Sequence, residues 1–187
     1  MNNTNKQETM KKKELKFILF LPLLFTIIFF FLAPVVQRQI AEHSSSLSIY
    51  TNPLPTLTID AKMYIDQLRI SDFERNEFSL HGWGFITGSE ELILTKYERT
   101  ILLISDAKIF SLPTSEVIRT DVQKAFQDLN LDLTFSGFVT SFSLFALPPG
   151  EYVISMVFSL PDGTEFLFHS DFILKRTVNS LKLSQAY

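Results

Sequence analysis

The sequence predicts a mainly β protein, in which one N-terminal transmembrane helix precedes a two-sheet antiparallel β-sandwich with one short helix. Three observations lead there. A run of twenty residues without an ionisable side chain lies near the N-terminus, and short alternating apolar runs bounded by turn residues fill most of the remaining chain. Helical spacing occurs only once beyond the first run.

The first run, Phe17 to Val36, reads FILFLPLLFTIIFFFLAPVV. As a helix it extends about 30 Å, the thickness of a hydrocarbon core, and helix is the state in which an isolated segment satisfies its own amides in lipid. Pro22 and Pro34 fall near its two ends, where a lost backbone bond costs least. Lys11, Lys12, Lys13 and Lys16 crowd its N-terminal flank, whereas Arg38 is the only basic residue on the other side before Lys62. Basic residues stay in the cytoplasm, so residues 1–16 are expected there and everything after about residue 37 outside, with the chain single-pass in the plasma membrane. The alternative is secretion after signal-peptide cleavage. The run is longer than such a peptide requires, and no small-x-small site succeeds it.

Residues 37–58, with Ser44, Ser45, Ser46, Pro53 and Pro55, read as a stalk. Residues 59–177 form the expected outer domain, and 178–187 a tail. Strands are expected at Met63 to Ser71, Glu77 to Thr87, Thr100 to Ser105, Lys108 to Leu112 and Phe138 to Leu147. The clearest is Glu151 to Leu160, where Tyr152, Ile154, Met156, Phe158 and Leu160 share a face. Pro161 to Thr164 turn the chain into a partner strand carrying Phe166, Phe168, Phe172 and Leu174. Val122, Ala125, Phe126 and Leu129 mark a helix, with Thr120 or Asp121 placed to cap it. Six or seven strands with one short helix point to a sandwich of immunoglobulin-like type, since a parallel sheet needs several crossover helices.

Composition narrows the chemistry. Of 187 residues 46% are hydrophobic and 20% charged, which excludes a disordered chain. Cysteine is absent, so disulfides, thiolate nucleophiles and thiolate metal sites are excluded. Five of the 17 basic and two of the 20 acidic residues lie in 1–16, leaving 12 against 18, a net −6, beyond them. A nucleic-acid footprint needs the opposite balance. Of 19 phenylalanines, six lie in the apolar run and many others at alternate strand positions suited to a core. Phe138, Phe142 and Phe145 do not all point the same way, which leaves at least one for the surface.

In order along the chain come Gly82-Trp83-Gly84-Phe85, Arg119-Thr120-Asp121-Val122, Gly137-Phe138 and Leu147-Pro148-Pro149-Gly150-Glu151-Tyr152. This succession, over about residues 60 to 177, resembles an immunoglobulin-like module found in bacterial surface and envelope-polysaccharide proteins. The resemblance implies a sandwich and transfers no active site. Here the leucine-to-glycine stretch carries two prolines.

Trp83, Arg119, Asp121, Phe138 and Tyr152 are accordingly the candidate ligand-binding or structural landmarks. Local chemistry predicts that Trp83 fills the space between sheets, and that Gly82 and Gly84 permit a bulge or a close approach. Gly150 is expected to take a positive φ, and Arg119 and Asp121 to pair or bind backbone and so pin the helix to the strands.

No catalytic residue, metal or cofactor is expected. His43, His81 and His169 lack metal-ligand spacing, and Gly88-Ser89-Glu90 lacks the second glycine of a nucleophile elbow. Asp162 suits a turn and Asp171 a solvated strand face. The expectation is a non-enzymatic envelope protein whose outer domain binds or positions a membrane protein or a surface glycan. The alternatives are a carbohydrate-binding module proper and an enzyme with a fold-assembled site.

Overall fold

The best-defined element arises directly from alternation and turn chemistry. In the computed structural model, which describes residues 46–56, 59–74, 76–87 and 97–185 together with Thr26 and Leu32, β8 (Gly150–Ser159) pairs with β9 (Glu165–Arg176) as the expected hairpin. Tyr152, Ile154, Met156 and Phe158 all point inward, each at most 3% exposed. Gly163 supplies the left-handed residue of the turn at φ 84°, and Asp162 Oδ1 accepts from the Thr164 amide at 2.8 Å.

The chain divides into two compact units, residues 1–40 and 41–187. The expected membrane segment lies outside the described residues except for Thr26 and Leu32, both of which are helical. Among the described residues no helix is long and apolar enough to cross a membrane.

The second unit is mainly β, with two antiparallel sheets. The larger runs β1 (Ser48–Ile49), β5 (Ile109–Pro113), β4 (Glu98–Ile104), β8, β9 and β10 (Leu181–Gln185). The smaller runs β2 (Ala61–Asp72), β3 (Glu77–Ile86), β7 (Gly137–Ser143) and β6 (Ser115–Val117). Both contribute to one core. Ile65, Leu80, Ile86, Phe138 and Phe142 of the smaller sheet meet Ile101, Leu103, Leu112, Met156, Phe158 and Leu174 of the larger. Burying side chains of this size contributes about 1.5–3 kcal/mol each, which a fold without disulfides depends on.

Several expected boundaries shift. The strand from Phe138 stops at Ser143, because the Leu144 amide turns to the Asn76 carbonyl at 2.9 Å. Phe138 and Phe142 are core, while Phe145 lies beyond the strand and is 40% exposed. The helix shortens to α1 (Thr120–Ala125), and a 3-10 turn (Gln127–Leu129) comes after it. The N-cap position falls on Arg119, one residue before the expected Thr120 or Asp121, and Arg119 makes no side-chain cap bond.

The domain is wider than 59–177. Within the expected stalk, β1 pairs with β5, Leu47 joins the core, and Tyr50 and Leu54 cover Leu102, Val157 and Leu167 on the outer face of the larger sheet. In the expected tail, β10 pairs with β9 along its whole length.

Gly150 does not take the expected positive φ; the left-handed residues among those described are Asn76, Asn130 and Gly163. Instead the Tyr152 ring folds back over it, 3.5 Å from where a Cβ would sit, and the Tyr152 hydroxyl donates to the Pro148 carbonyl at 2.7 Å. That bond closes the corner between β7 and β8. Tyr152→Phe is expected to cost about 1 kcal/mol, read as a lower urea midpoint with an unchanged slope.

Candidate functional site

In β3 the residues Leu80, Gly82, Gly84 and Ile86 alternate toward the core, which turns His81, Trp83 and Phe85 to the outer face of the smaller sheet. The expected inter-sheet position of Trp83 is thereby corrected. The inner positions are glycine because neighbouring groups already occupy the space. A Cβ on Gly82 would lie 2.8 Å from the Phe138 ring and well inside contact distance of the Tyr64 carbonyl oxygen. One on Gly84 would lie 2.9 Å from the Met156 sulfur.

Outside, α1 and the segment after it form a lid. Val122 and Leu133 bury Phe85, and Phe126 packs on both Trp83 and Phe85 with ring centroids 5.4 and 5.3 Å away. The Lys62 ammonium stands 5.3 Å from the Phe126 centroid. Gln123 holds the lid closed, donating to the Leu131 carbonyl at 2.8 Å and accepting from the Leu133 amide.

Beside this lid Arg119 forks onto Asp121, with Nε to Oδ1 at 2.8 Å and Nη2 to Oδ2 at 2.7 Å, and its Nη1 reaches Asp66 Oδ2 at 2.5 Å. Asp66 sits at the β2 bulge between Ile65 and Gln67. The Arg119 stem crosses β7 over Gly137, where a Cβ would lie 2.5 Å from Cγ. Arg119 thus ties the helix to the opposite edge of the sheet.

Hydrogen bonding from Arg119 holds the Asp121 carboxyl at about 2, and the same bonds hold the guanidinium above its ordinary value. A carboxyl so depressed contributes stability that is fully present above the ordinary carboxylate range and is lost as pH falls toward about 2. In an NMR titration Asp121 is expected to show its midpoint near 2 and to return to the ordinary range in Arg119→Gln. An unshifted midpoint in the native chain would mean that the fork does not form in solution. Nearby, burial and then Arg69 pull the His81 imidazole below its ordinary value, with Asp66 opposing.

Of the five landmarks, Trp83, Arg119 and Asp121 are brought together. Phe138 is 1% exposed in the core and Tyr152 closes the β7–β8 corner. Sequence reasoning missed Tyr64 and Asp66. Their signal is the step from Ile65 to Leu68, both core-facing, which breaks the two-residue period and marks the bulge.

Two other arrangements resemble chemistry without supplying it. Ser155 Oγ lies 2.8 Å from His169 Nδ1, but Ser155 is wholly buried and presents no nucleophile. A cleft of about 310 Å³ is lined by Ser46, Glu77, Thr114, Ser115, Thr140 and Ser141. Its Ser46, Thr114 and Thr140 hydroxyls donate to the carbonyls of Ser141, Arg99 and Pro113. No family model, curated protein or solved structure matches the chain.

Proposed function

We propose that this chain is a single-pass membrane-anchored envelope protein whose outer, immunoglobulin-like domain binds or positions a partner without catalysing a reaction. The observation that carries the reading is the uncharged run from Phe17 to Val36 with four lysines just before it. Insertion with the lysines left behind puts the β domain on the non-cytoplasmic side.

The immunoglobulin-like reading has two supports. The orders β2-β3-β7-β6 and β5-β4-β8-β9 correspond to A-B-E-D and C′-C-F-G of that fold. The Tyr152 hydroxyl bonded four residues back to Pro148, at the start of the strand equivalent to F, has the form of a tyrosine corner. For a non-catalytic role the support is that Ser155, His169, Arg119, Asp121 and the cleft hydroxyls are engaged in holding the domain's own backbone and side chains together.

Alkaline carbonate washing of membranes is expected to leave the full-length protein in the pellet. Capture from detergent extracts is expected to recover a membrane protein or a surface polysaccharide. Release by carbonate would remove the anchor, and capture of neither class would remove the partner-binding role.

A further inference from the structure

We propose that the open end of the aromatic row on the smaller sheet, Tyr64 beside Trp83, together with Asp66, Arg119 and Asp121, is a binding site for a neutral pyranose of a glycan. The inference rests on the partner-binding reading and specifies its ligand.

Strand register puts these groups side by side. Tyr64 pairs with Trp83, and Trp83 with Gly137, over which the Arg119 stem runs. The Arg119 guanidinium therefore meets Asp66, two residues from Tyr64 on the same strand, alongside the rings. Tyr64 and Trp83 are stacked with centroids 6.1 Å apart and planes 23° apart, and Phe172 supports Tyr64 edge-on at 5.2 Å. The lid residue Phe126 covers the Trp83–Phe85 half of the row, whereas Tyr64 keeps 43% of its surface exposed. A partly open Tyr64 ring thus lies in contact with Trp83 and Phe172.

A pyranose offers one apolar face of C–H groups and a rim of vicinal hydroxyls. The face matches the Tyr64 ring, and the rim matches carboxylates whose remaining lone pairs accept O–H donors. The Asp121 side chain is 66% and the Asp66 side chain 32% exposed, while Arg119 fixes both carboxylates in place. In the fork itself two carboxylates meet one guanidinium, with Lys62 and Arg69 outside it, so the hydroxyl-binding groups beside Tyr64 are themselves anionic and repel a uronate or phosphate placed against them.

Trp83 is the only tryptophan of the chain and reports on the site directly. The full-length protein in lipid nanodiscs would be titrated with cellotetraose and chitotetraose, with polygalacturonate as the acidic comparator. The emission of Trp83 is expected to shift with a neutral oligosaccharide and not with polygalacturonate. Retention on the same immobilised glycans gives a second readout. Tyr64→Phe keeps the flat ring and is expected to retain binding. Tyr64→Leu keeps apolar bulk without the ring and is expected to weaken binding about tenfold or more, with an unchanged circular dichroism spectrum.

Absence of both an emission shift and retention with the neutral glycans would overturn the proposal, as would equal binding by Tyr64→Leu. Tyr64-dependent capture of a protein in place of any glycan would also overturn it while leaving the envelope reading intact. Failure of the chain to enter nanodiscs would instead count against the anchor.

Discussion

Replacing Arg99 by methionine is expected to lower the unfolding free energy by about 3 kcal/mol or more, while the same change at Arg176 leaves stability unchanged or raises it. Both guanidinium groups are withdrawn from water, and burial pulls both below the ordinary arginine range. Their partners differ. Arg99 starts on β4 of the larger sheet and crosses to the smaller one. There it donates from Nη1 to the Ser136 and Gly84 carbonyls at 2.8 and 3.2 Å, and from Nη2 to the Phe135 carbonyl at 2.8 Å. Glu116 stands 3.4 Å from Nη2 but its side chain is 56% exposed, so the carbonyls carry most of the interaction. Methionine fills much of the volume and leaves those acceptors without their donor.

Arg176, by contrast, gives one long bond from Nε to the Leu144 carbonyl at 3.3 Å, and its buried Nη1 finds no partner among the described residues. Removing a buried charge so poorly compensated costs little. Urea unfolding of the two variants side by side measures the difference. Equal losses would show that the count of hydrogen bonds does not decide the outcome.

Gly82→Ala is expected to destabilise by about 3 kcal/mol, at the upper end of overpacking costs. The new methyl group would run into the Tyr64 carbonyl oxygen, and that atom belongs to the backbone of the neighbouring strand. Relief requires β2 to move away from β3 beside the bulge that presents Asp66. Gly84→Ala serves as the control, because its nearest obstacle is the Met156 side chain, which can rotate aside. Its expected loss is about 1 kcal/mol. A lower melting temperature for Gly84→Ala than for Gly82→Ala would contradict the packing described between the two strands.

Much of the strand pattern was readable because one face of each strand is buried and the other wet. β8 and β9 alternate cleanly, and their turn carries Asp162 and Gly163 where the geometry needs them. β1 and β6 escaped notice because two or three residues at a sheet edge are too few to show alternation, and β10 because its alternation rests on only two leucines, Leu181 and Leu183.

The landmark cluster was legible only in part, for a different reason. α1 covers one end of the smaller sheet, so β3 is buried on both faces there, and large residues no longer mark the inside. In Gly82-Trp83-Gly84-Phe85 the rings point outward and the glycines inward, the reverse of the simplest reading. Arg99 was hidden similarly. Beside Glu98 it reads as a solvated charge, and only the path of the opposite sheet provides the carbonyls that hold it.

The central claim is that the sandwich faces away from the cytoplasm, and a chain without cysteine allows a direct test. Thr4→Cys and Val178→Cys would be expressed separately in spheroplasts and treated with a membrane-impermeant maleimide; Val178 is 75% exposed. Labelling of Val178→Cys in intact spheroplasts, with Thr4→Cys reacting only after permeabilisation, is the predicted result. Labelling of Thr4→Cys from outside, with Val178→Cys protected until lysis, would contradict it.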